Sequence, residues 1–407
     1  MERNWAGNLT YSGRVVVPAS VAEVQEVVAG ADRVRALGSR HSFNDIADTG
    51  GALVSLEALP PDLELTGDTV TVSAATRYGV LAEALQDRGL ALANLASLPH
   101  ISVAGAIATA THGSGSRNGN LAAAVAALDL VGADGELRRV RRGEEGFAGS
   151  VVALGTLGVV TSVTLDVRPS FDLRQHVYLD VPWRPVLEDL DEIMASGYSV
   201  SLFTDWTGER VGQVWVKSAG TPAPTDLFGA PPAAVQVHML DGEPADAVTE
   251  QLGVAGPWLD RLPHFRLGHK PSHGAELQSE YLVPRDRAVE AIGLLRAGRE
   301  RIAPLLHVSE VRTVAGDDLW LSGAFGRDTV ALHFTWRLDP AGVAALLPDL
   351  ESLLLPLGAR PHWGKCFAAT ARELARLYPK WTEFAELRHA ADPLGKFGNA
   401  YTAHVLG

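Results

Sequence analysis

Three short stretches in the second half of the chain carry residue types suited to handling hydroxyl groups. His307–Val314 reads HVSEVRTV, and Glu310 and Arg312, two apart, share one face if the stretch is a strand. A carboxylate and a guanidinium side by side can accept from and donate to adjacent hydroxyls, which selects vicinal diols. In Ala331–Arg337, ALHFTWR, the apolar Leu332, Phe334 and Trp336 take one face while His333 and Thr335 share the other. Ala359–Phe367, ARPHWGKCF, places His362 and Lys365 three apart around Trp363 and Gly364. Singly, each has an ordinary explanation: a polar strand face is commonly just solvated, and a lone lysine commonly makes a surface salt bridge. Jointly they supply what oxidation of an alcohol requires. The hydroxyl proton must be accepted or shared, the C–H must be held against a hydride acceptor, and the arriving negative charge must be stabilised. His333 is the candidate proton acceptor by its titration range, with a lysine depressed by burial as the alternative.

Two stretches in the first half would position a cofactor against such a set. Val34–Asn44, VRALGSRHSFN, runs from an apolar strand-like segment into a donor-rich turn with His41 at its centre. Such a turn can aim several backbone N–H groups into one concavity and bind phosphate oxygens without a lysine, although GSRH alone also fits a solvated surface loop. Asn94–Gly115, NLASLPHISVAGAIATATHGSG, holds three glycines, three serines, two threonines and four alanines between Ala104 and Ala110. Small residues at this density let backbone lie flat against a large planar ligand; the competing reading is a tightly packed Ala/Gly helix.

The surrounding pattern is that of a globular α+β chain. A helix opens at Pro18-Ala19-Ser20 with a capping box from Ser20 to Glu23 and an apolar face of Val21, Val24, Val27 and Val28. Thr69–Ala75 alternates as a strand, Tyr78–Asp87 reads as a helix closed by Gly89, Val125–Val131 and Glu136–Arg141 form a hairpin, and Leu154–Val167 is a glycine turn feeding a long strand. From about Phe171 strand-type segments rich in aromatics follow, interrupted by a Pro/Ala/Gly/Thr loop over Ser218–Ala234.

Composition excludes several function classes. The 407 residues are 46% hydrophobic and 20% charged, with a formal charge of −13, which argues against nucleic acid or an anionic membrane as partner. A small neutral substrate fits that surface. The single cysteine, Cys366, permits no intramolecular disulfide, and with no apolar leader or run of about 18 apolar residues the expectation is a cytoplasmic monomer. GxxxxGK[ST] and HExxH are absent, and Gly113–Gly119 misses GxGxxG by one residue, so no metal site is expected.

The motifs GSRHSFN, NLASLPHISVAG, ATHGSG, SLFTDW, GAELQSEYLVPR, HFTW and RPHWGK are similar, in this order over residues 4–399, to the bacterial alditol (xylitol) oxidases of the vanillyl-alcohol-oxidase superfamily. The resemblance implies an α+β, two-domain fold: a PCMH-like FAD-binding domain over residues 1–169, completed by about 385–407, and an inserted substrate or cap domain over 170–384 built on an antiparallel sheet. It implies FAD attached covalently through His41 to the 8α carbon of the ring. A second tether would need a cysteine near Ser97–Gly115, and none is there. The family's cofactor-binding positions correspond to Ala36, Leu37, Gly38, Ser39, Arg40, His41, Ser42, Ser97, Ser102, Gly105, Thr109, Ala110, Thr111, His112, Gly113, Val160 and His362. Its substrate-binding positions correspond to Ser97, Glu310, Arg312, Thr335 and Lys365, with Lys365, His333, Glu310 and Arg312 as the catalytic set. Lys365 would serve either the flavin N1/C2 carbonyl side or the reacting oxygen. Ala96 matches the small residue associated with an oxygen route to the ring. The implied activity is oxidation of a terminal hydroxyl of xylitol, sorbitol or a related polyol to the aldehyde, with hydride transfer to flavin N5 and O2 reduced to H2O2. Two alternatives stand beside it: a sugar-lactone or aldose dehydrogenase of the same fold with a non-oxygen acceptor, and a flavin- or sugar-binding protein without turnover. The loop after Lys217 is compact relative to the family.

Overall fold

The computed structural model describes residues 2–268 and 275–407; Gly274, which opens the GAELQSEYLVPR run, lies outside them. The chain begins with a parallel three-stranded sheet in which Ala52–Ser55 lies between Arg14–Val16 and Val34–Leu37. The helix Val21–Gly30 forms as its sequence predicts. Ser20 Oγ accepts from the Glu23 amide at 3.2 Å, Glu23 returns to the Ala19 amide at 2.9 Å, and Val24 and Val28 are fully buried. An antiparallel five-stranded sheet follows, in the order Leu63–Thr66, Thr69–Ser73, Val159–Asp166, Val125–Val131, Leu137–Arg141. Its third strand starts at Val159, after the glycine turn that the sequence places at the head of Leu154–Val167. Leu154 and Gly155 take left-handed backbone, φ 55° and 69°, and so turn the chain before the strand begins.

The Ala/Gly stretch is a short helix, Val103–Ala108. Its small residues divide by face: Val103, Ala106 and Ile107 enter the main core, while Gly105 is exposed to the cavity described below. The helix reading of this stretch therefore holds locally, and the close approach it permits is made by a helix face instead of extended backbone.

Residues 172–361 build an eight-stranded antiparallel sheet in the order Gly256–Pro257, Asp172–Pro182, Arg210–Ser218, Ser199–Thr204, Leu306–Val314, Thr329–Arg337, Glu276–Pro284, Arg360–Pro361. The alternation in ALHFTWR is realised. Leu332, Phe334 and Trp336 are buried with Val311 and Tyr281 under the helices Ala288–Ala297 and Pro340–Leu354, whose Ile292, Leu295, Val343, Leu346 and Leu350 join the same cluster. Each such side chain contributes roughly 1.5–3 kcal/mol by leaving water, so this face fixes which residues point the other way. Among the described residues, Pro340–Leu357 is the one helical stretch long and apolar enough to cross a membrane; it is the lid of this core. Ser218–Ala234 is a loop carrying only isolated bridges, among them Tyr178 to Pro232.

The chain then returns to its start. Trp363, Leu374, Tyr378, Phe384, Tyr401 and Val405 share one core cluster with Val70, Leu81 and Val163, so this packing begins well before residue 385. The Val34 amide donates to Lys396 O at 2.9 Å. Buried Arg35 donates to the carbonyls of Leu154 (2.7 Å), Gly155 (3.0 Å), Phe397 (2.8 Å) and Ile46. One guanidinium thereby satisfies four carbonyls beneath the GSRH turn that no strand partner could reach.

Candidate functional site

The polar face of the large sheet is organised by register. Phe203 pairs with Glu310, Glu310 with His333, and His333 with Glu280, so four adjacent strands place these side chains in one row. Directly opposite residues on antiparallel strands point the same way. One step along, Arg312 lies opposite Ala331, whose methyl leaves room for the guanidinium to reach diagonally to Glu280. Gln278 lies opposite Thr335.

Glu280 is the electrostatic centre, only 1% exposed. Its carboxylate pairs with Arg312 Nη2 and, at 2.7 Å, with Lys365 Nζ; His112 Nε2 stands 3.5 Å away. Burial would raise its pKa, but Lys365 and Arg312 overcome this and hold it well below the usual carboxylate range. Arg312 also approaches Glu310 Oε2 at 3.5 Å and donates to Ser97 Oγ at 3.2 Å. Glu310 accepts from His264 Nε2 at 2.7 Å; against the effect of burial, Arg312 and His264 lower its pKa. Two carboxylates and two cations thus neutralise one another in a buried lattice.

Lys365 joins this lattice to the imidazole. Its Nζ is 2.7 Å from His333 Nδ1, and His333 Nε2 is 3.1 Å from Thr335 Oγ1. Burial and then Lys365 drive the His333 pKa well below that of a free imidazole, so the ring is neutral. Burial also lowers the Lys365 pKa, with Glu280 opposing. The loop carrying Lys365 is clamped by the very turn that bears His41. The Phe43 amide donates to Gly364 O at 2.8 Å, and Asn44 Nδ2 donates to the carbonyls of Trp363 and Lys365 at 2.8 Å each. GSRHSFN therefore fixes both ends of the site.

A cavity of ≈ 700 Å³ runs between this wall and the first sheet region. Ala36, Leu37, Gly38, Ser39, Arg40, His41, Ser42, Ser97, Ser102, Gly105, Thr109, Thr111, His112, Val160 and His362 all line it, as do Glu310, Arg312, His333, Thr335 and Lys365. Ala96 lines it too. Ala110 and Gly113 do not. Ala110 takes left-handed backbone (φ 53°) and sends its methyl into the core, and Gly113 lies against Leu95 O, where a Cβ would come within 2.2 Å. These two shape the turn from behind.

Several features fit FAD to this cavity. His41 Nδ1 is buried with no hydrogen-bond partner among the described residues, and its ring stacks on Trp5 at 5.7 Å. Burial, then Arg77 and His100, lower the His41 pKa to about 4, which leaves a neutral nucleophilic nitrogen at pH 7. Arg40 takes left-handed backbone, φ 63°, the kind of step a backbone nest uses. Gly38 and Gly105 each face Ser102 Oγ so closely that a Cβ would sit 2.8 Å from it; only hydrogen keeps the cleft open between strand and helix. The donor set is hydroxyls, amides and small apolar surface, which suits a pyrophosphate and a flat ring.

Sequence reasoning missed Glu280, His264 and Lys217. Glu280 had a readable signal, since Gln278 and Glu280 are two apart in ELQSEYLV and alternate with Leu277, Ser279 and Tyr281. His264 lies in a loop and Lys217 at the end of an apolar strand, where spacing carries no information.

These features define an FAD-binding oxidoreductase fold with a polar substrate wall. Residues 13–141 match the family model described as FAD binding domain, and residues 275–405 match that of D-arabinono-1,4-lactone oxidase. An alditol oxidase of Streptomyces sp. is 48% identical over 99% of this chain and 98% of its own length. An L-gulono-1,4-lactone dehydrogenase of Mycobacterium tuberculosis is 32% identical over 99% and 98% respectively. Among solved structures, cholesterol oxidase from Brevibacterium sterolicum superposes with TM-score 0.81 over 100% of this chain and 96% of that one; at 16% identity this is a likeness of fold. The chain belongs to the alditol oxidase family of vanillyl-alcohol-oxidase/PCMH-type flavoproteins.

Proposed function

We propose that the protein is an FAD-dependent oxidase of alditols, converting a terminal hydroxyl of xylitol, sorbitol or a related polyol to the aldehyde and delivering the electrons to O2 to give H2O2. The row Glu310–His333–Glu280, with Arg312, Thr335 and Lys365 beside it on the cavity wall, carries this reading. When bound, FAD supplies the acceptor for the hydride that leaves the substrate carbon and is itself reoxidised by oxygen.

The chain's own groups do the rest. A polyol has no charge to recognise, so each hydroxyl that enters the cavity must exchange water for a protein partner. Ser97, Glu310, Arg312 and Thr335 offer acceptors and donors in alternation. Lys365 and His333 act as one proton-accepting pair. In the accepting state, Nδ1–H of His333 donates to the Lys365 amine and Nε2 takes the hydroxyl proton; burial favours this amine form while Glu280 opposes it. Once His333 is charged, Glu280, with Oε1 3.9 Å from Nδ1, compensates it. His41 is read as the covalent tether, on the strength of its buried, unpartnered Nδ1.

A lactone or aldose dehydrogenase of the same fold is the second reading, favoured by the likeness to the L-gulono-1,4-lactone dehydrogenase and, for the lactone substrate class, by the D-arabinono-1,4-lactone oxidase match over residues 275–405. One experiment separates the two. Purified protein is mixed anaerobically with xylitol, flavin absorbance is followed, and air is then admitted. Bleaching with rapid recovery and H2O2 formation is expected. Bleaching that persists in air overturns the oxidase assignment, and a flavin that never bleaches with alditols but does so with an aldonolactone overturns the substrate class.

A further inference from the structure

Behind the substrate wall, outside the cavity lining, sits a buried lysine with an unusual set of partners. Lys217 ends the strand Arg210–Ser218 and is 1% exposed. Its Nζ meets Leu262 O at 2.6 Å, Pro263 O at 3.1 Å and His264 Nδ1 at 3.2 Å. Three acceptors saturate the three hydrogens of an ammonium, and they come from three successive residues. Thr249 Oγ1 adds a bond to Pro263 O at 2.8 Å, and its amide donates to His264 O at 2.9 Å.

His264 carries this anchorage to both sides of the cavity. Its Nε2–H donates to Glu310 Oε1 at 2.7 Å, while its backbone amide and that of Phe265 donate to Ser97 O at 3.2 and 3.3 Å. The ring stands edge-on to Phe203 and Trp215 at 5.5 and 5.3 Å, which restricts its rotation. Burial lowers its pKa to about 4, so it holds a single proton at neutral pH. Burial likewise brings Lys217 down to about 7, with Glu310 opposing. The lysine's occupation of Nδ1 places the ring's one proton on Nε2, facing Glu310.

The structure assigns Lys217 and His264 as a positioning pair for substrate binding: the Lys217 ammonium gathers residues 262–264, sets the His264 tautomer, and through it fixes Glu310 and Ser97 for the polyol hydroxyls. The inference rests on the reading of Glu310 and Ser97 as substrate contacts. Lys217 lies outside the cavity lining; His264 reaches it beside Glu310, but its ring nitrogens are taken by Lys217 and Glu310 rather than by Lys365 or His333. Their removal is therefore read in binding more than in chemistry.

The test compares Lys217→Met, His264→Leu, His264→Gln, the double variant Lys217→Met/His264→Leu, and Glu310→Gln, each as flavin-loaded protein with xylitol under stopped-flow. Lys217→Met and His264→Leu are expected to raise xylitol KM about tenfold, the loss of one charge-assisted hydrogen bond, with the limiting flavin-reduction rate within about threefold of the parent. The double variant should match the singles, since both cut one path. His264→Gln should restore most of the KM, because its amide can accept from Lys217 and donate to Glu310 at once. If Lys217→Met does not accumulate as folded protein, the Leu–Gln contrast at His264 carries the test. Parental KM in His264→Leu while Glu310→Gln raises it overturns the pair's role. An unchanged KM in Glu310→Gln overturns the substrate reading of Glu310, and the inference with it.

Discussion

Glu280→Gln removes one negative charge from the centre of the buried lattice while keeping the side chain's size. The parent carboxylate is in contact with Arg312 and lies 2.7 Å from Lys365 Nζ. At an effective dielectric constant near 20, one unit pair at that separation has a gross attraction of about 6 kcal/mol. Desolvation of two buried ions cancels a large part of it, and breaking a buried pair by removing one partner costs about 3–5 kcal/mol. The variant should therefore lose about that much unfolding free energy at pH 7, in denaturant titrations of FAD-loaded protein followed by flavin fluorescence and circular dichroism. The two largest buried clusters, one holding Val70, Val163 and Trp363 and the other Val311, Phe334 and Leu350, are separate, so the two probes must coincide before a single free energy is assigned. The sign with pH follows from the depressed carboxylate. A lowered folded-state pKa contributes stability above the unfolded value, near 4.3 for a glutamate, and loses it as pH falls through the folded one. The difference between parent and variant should be full at pH 7 and shrink in strong acid. A loss below about 1 kcal/mol at pH 7 would refute the assignment of Glu280 as the shared counter-ion.

Four further expectations follow from the site. Lys365→Met should slow anaerobic flavin reduction by about 100-fold or more, the range for removing an acid–base partner, with FAD still retained; an unchanged rate removes Lys365 from the mechanism. In the parent, the reduction rate should rise with pH as Lys365 passes to the amine, because its pKa is lowered by burial and the ammonium occupies His333 Nδ1 below it; a pH-independent rate contradicts the pair. His41→Ala should release all flavin on acid precipitation, since it is proposed as the sole tether, whereas a yellow pellet would sink that role. In a His41→Ala background, where FAD is held without the tether, Gly105→Ala should weaken FAD binding by about 1–2 kcal/mol, for its methyl would displace Ser102 Oγ and break the bond from the Ser39 amide at 3.3 Å; an unaltered dissociation constant in equilibrium dialysis would show that the cleft widens freely.

What the sequence revealed and what it hid differ by the range of the interaction. Strand alternation in ALHFTWR assigned His333 and Thr335 to the polar face, since burying Leu332, Phe334 and Trp336 leaves them no other direction. The N-cap at Ser20 and the donor-rich turn at Gly38–Ser42 are likewise local and were legible, although Glu23 closes on the Ala19 amide and not on that of Ser20. The glycine turn feeding Val159–Asp166 was legible, although the left-handed Leu154 beside Gly155 has no sequence signature. Ala110 and Gly113 were drawn into the cofactor set by standing in a motif whose neighbouring positions Thr109, Thr111 and His112 face the cavity while these two do not.

Glu280 shows the deeper limit. Its importance arises from register across four strands, Phe203 to Glu310 to His333 to Glu280, and the pairing partners Phe203 and Glu310 lie 107 residues apart in the chain. Spacing within one strand shows that a carboxylate lies on the polar face, but not that two cations from other elements converge on it. Burial sets the downward direction at Lys365 and His333, while at Glu310 the nearby Arg312 and His264 outweigh burial; at all three, groups on neighbouring strands or loops contribute to the shift. Chemistry in such a wall belongs to the lattice, and no single residue's identity predicts it. That is why the charge-neutralising substitution at Glu280, which touches stability and the acid–base pair at once, discriminates between a working site and a merely polar sheet face more sharply than removal of any residue the motifs named.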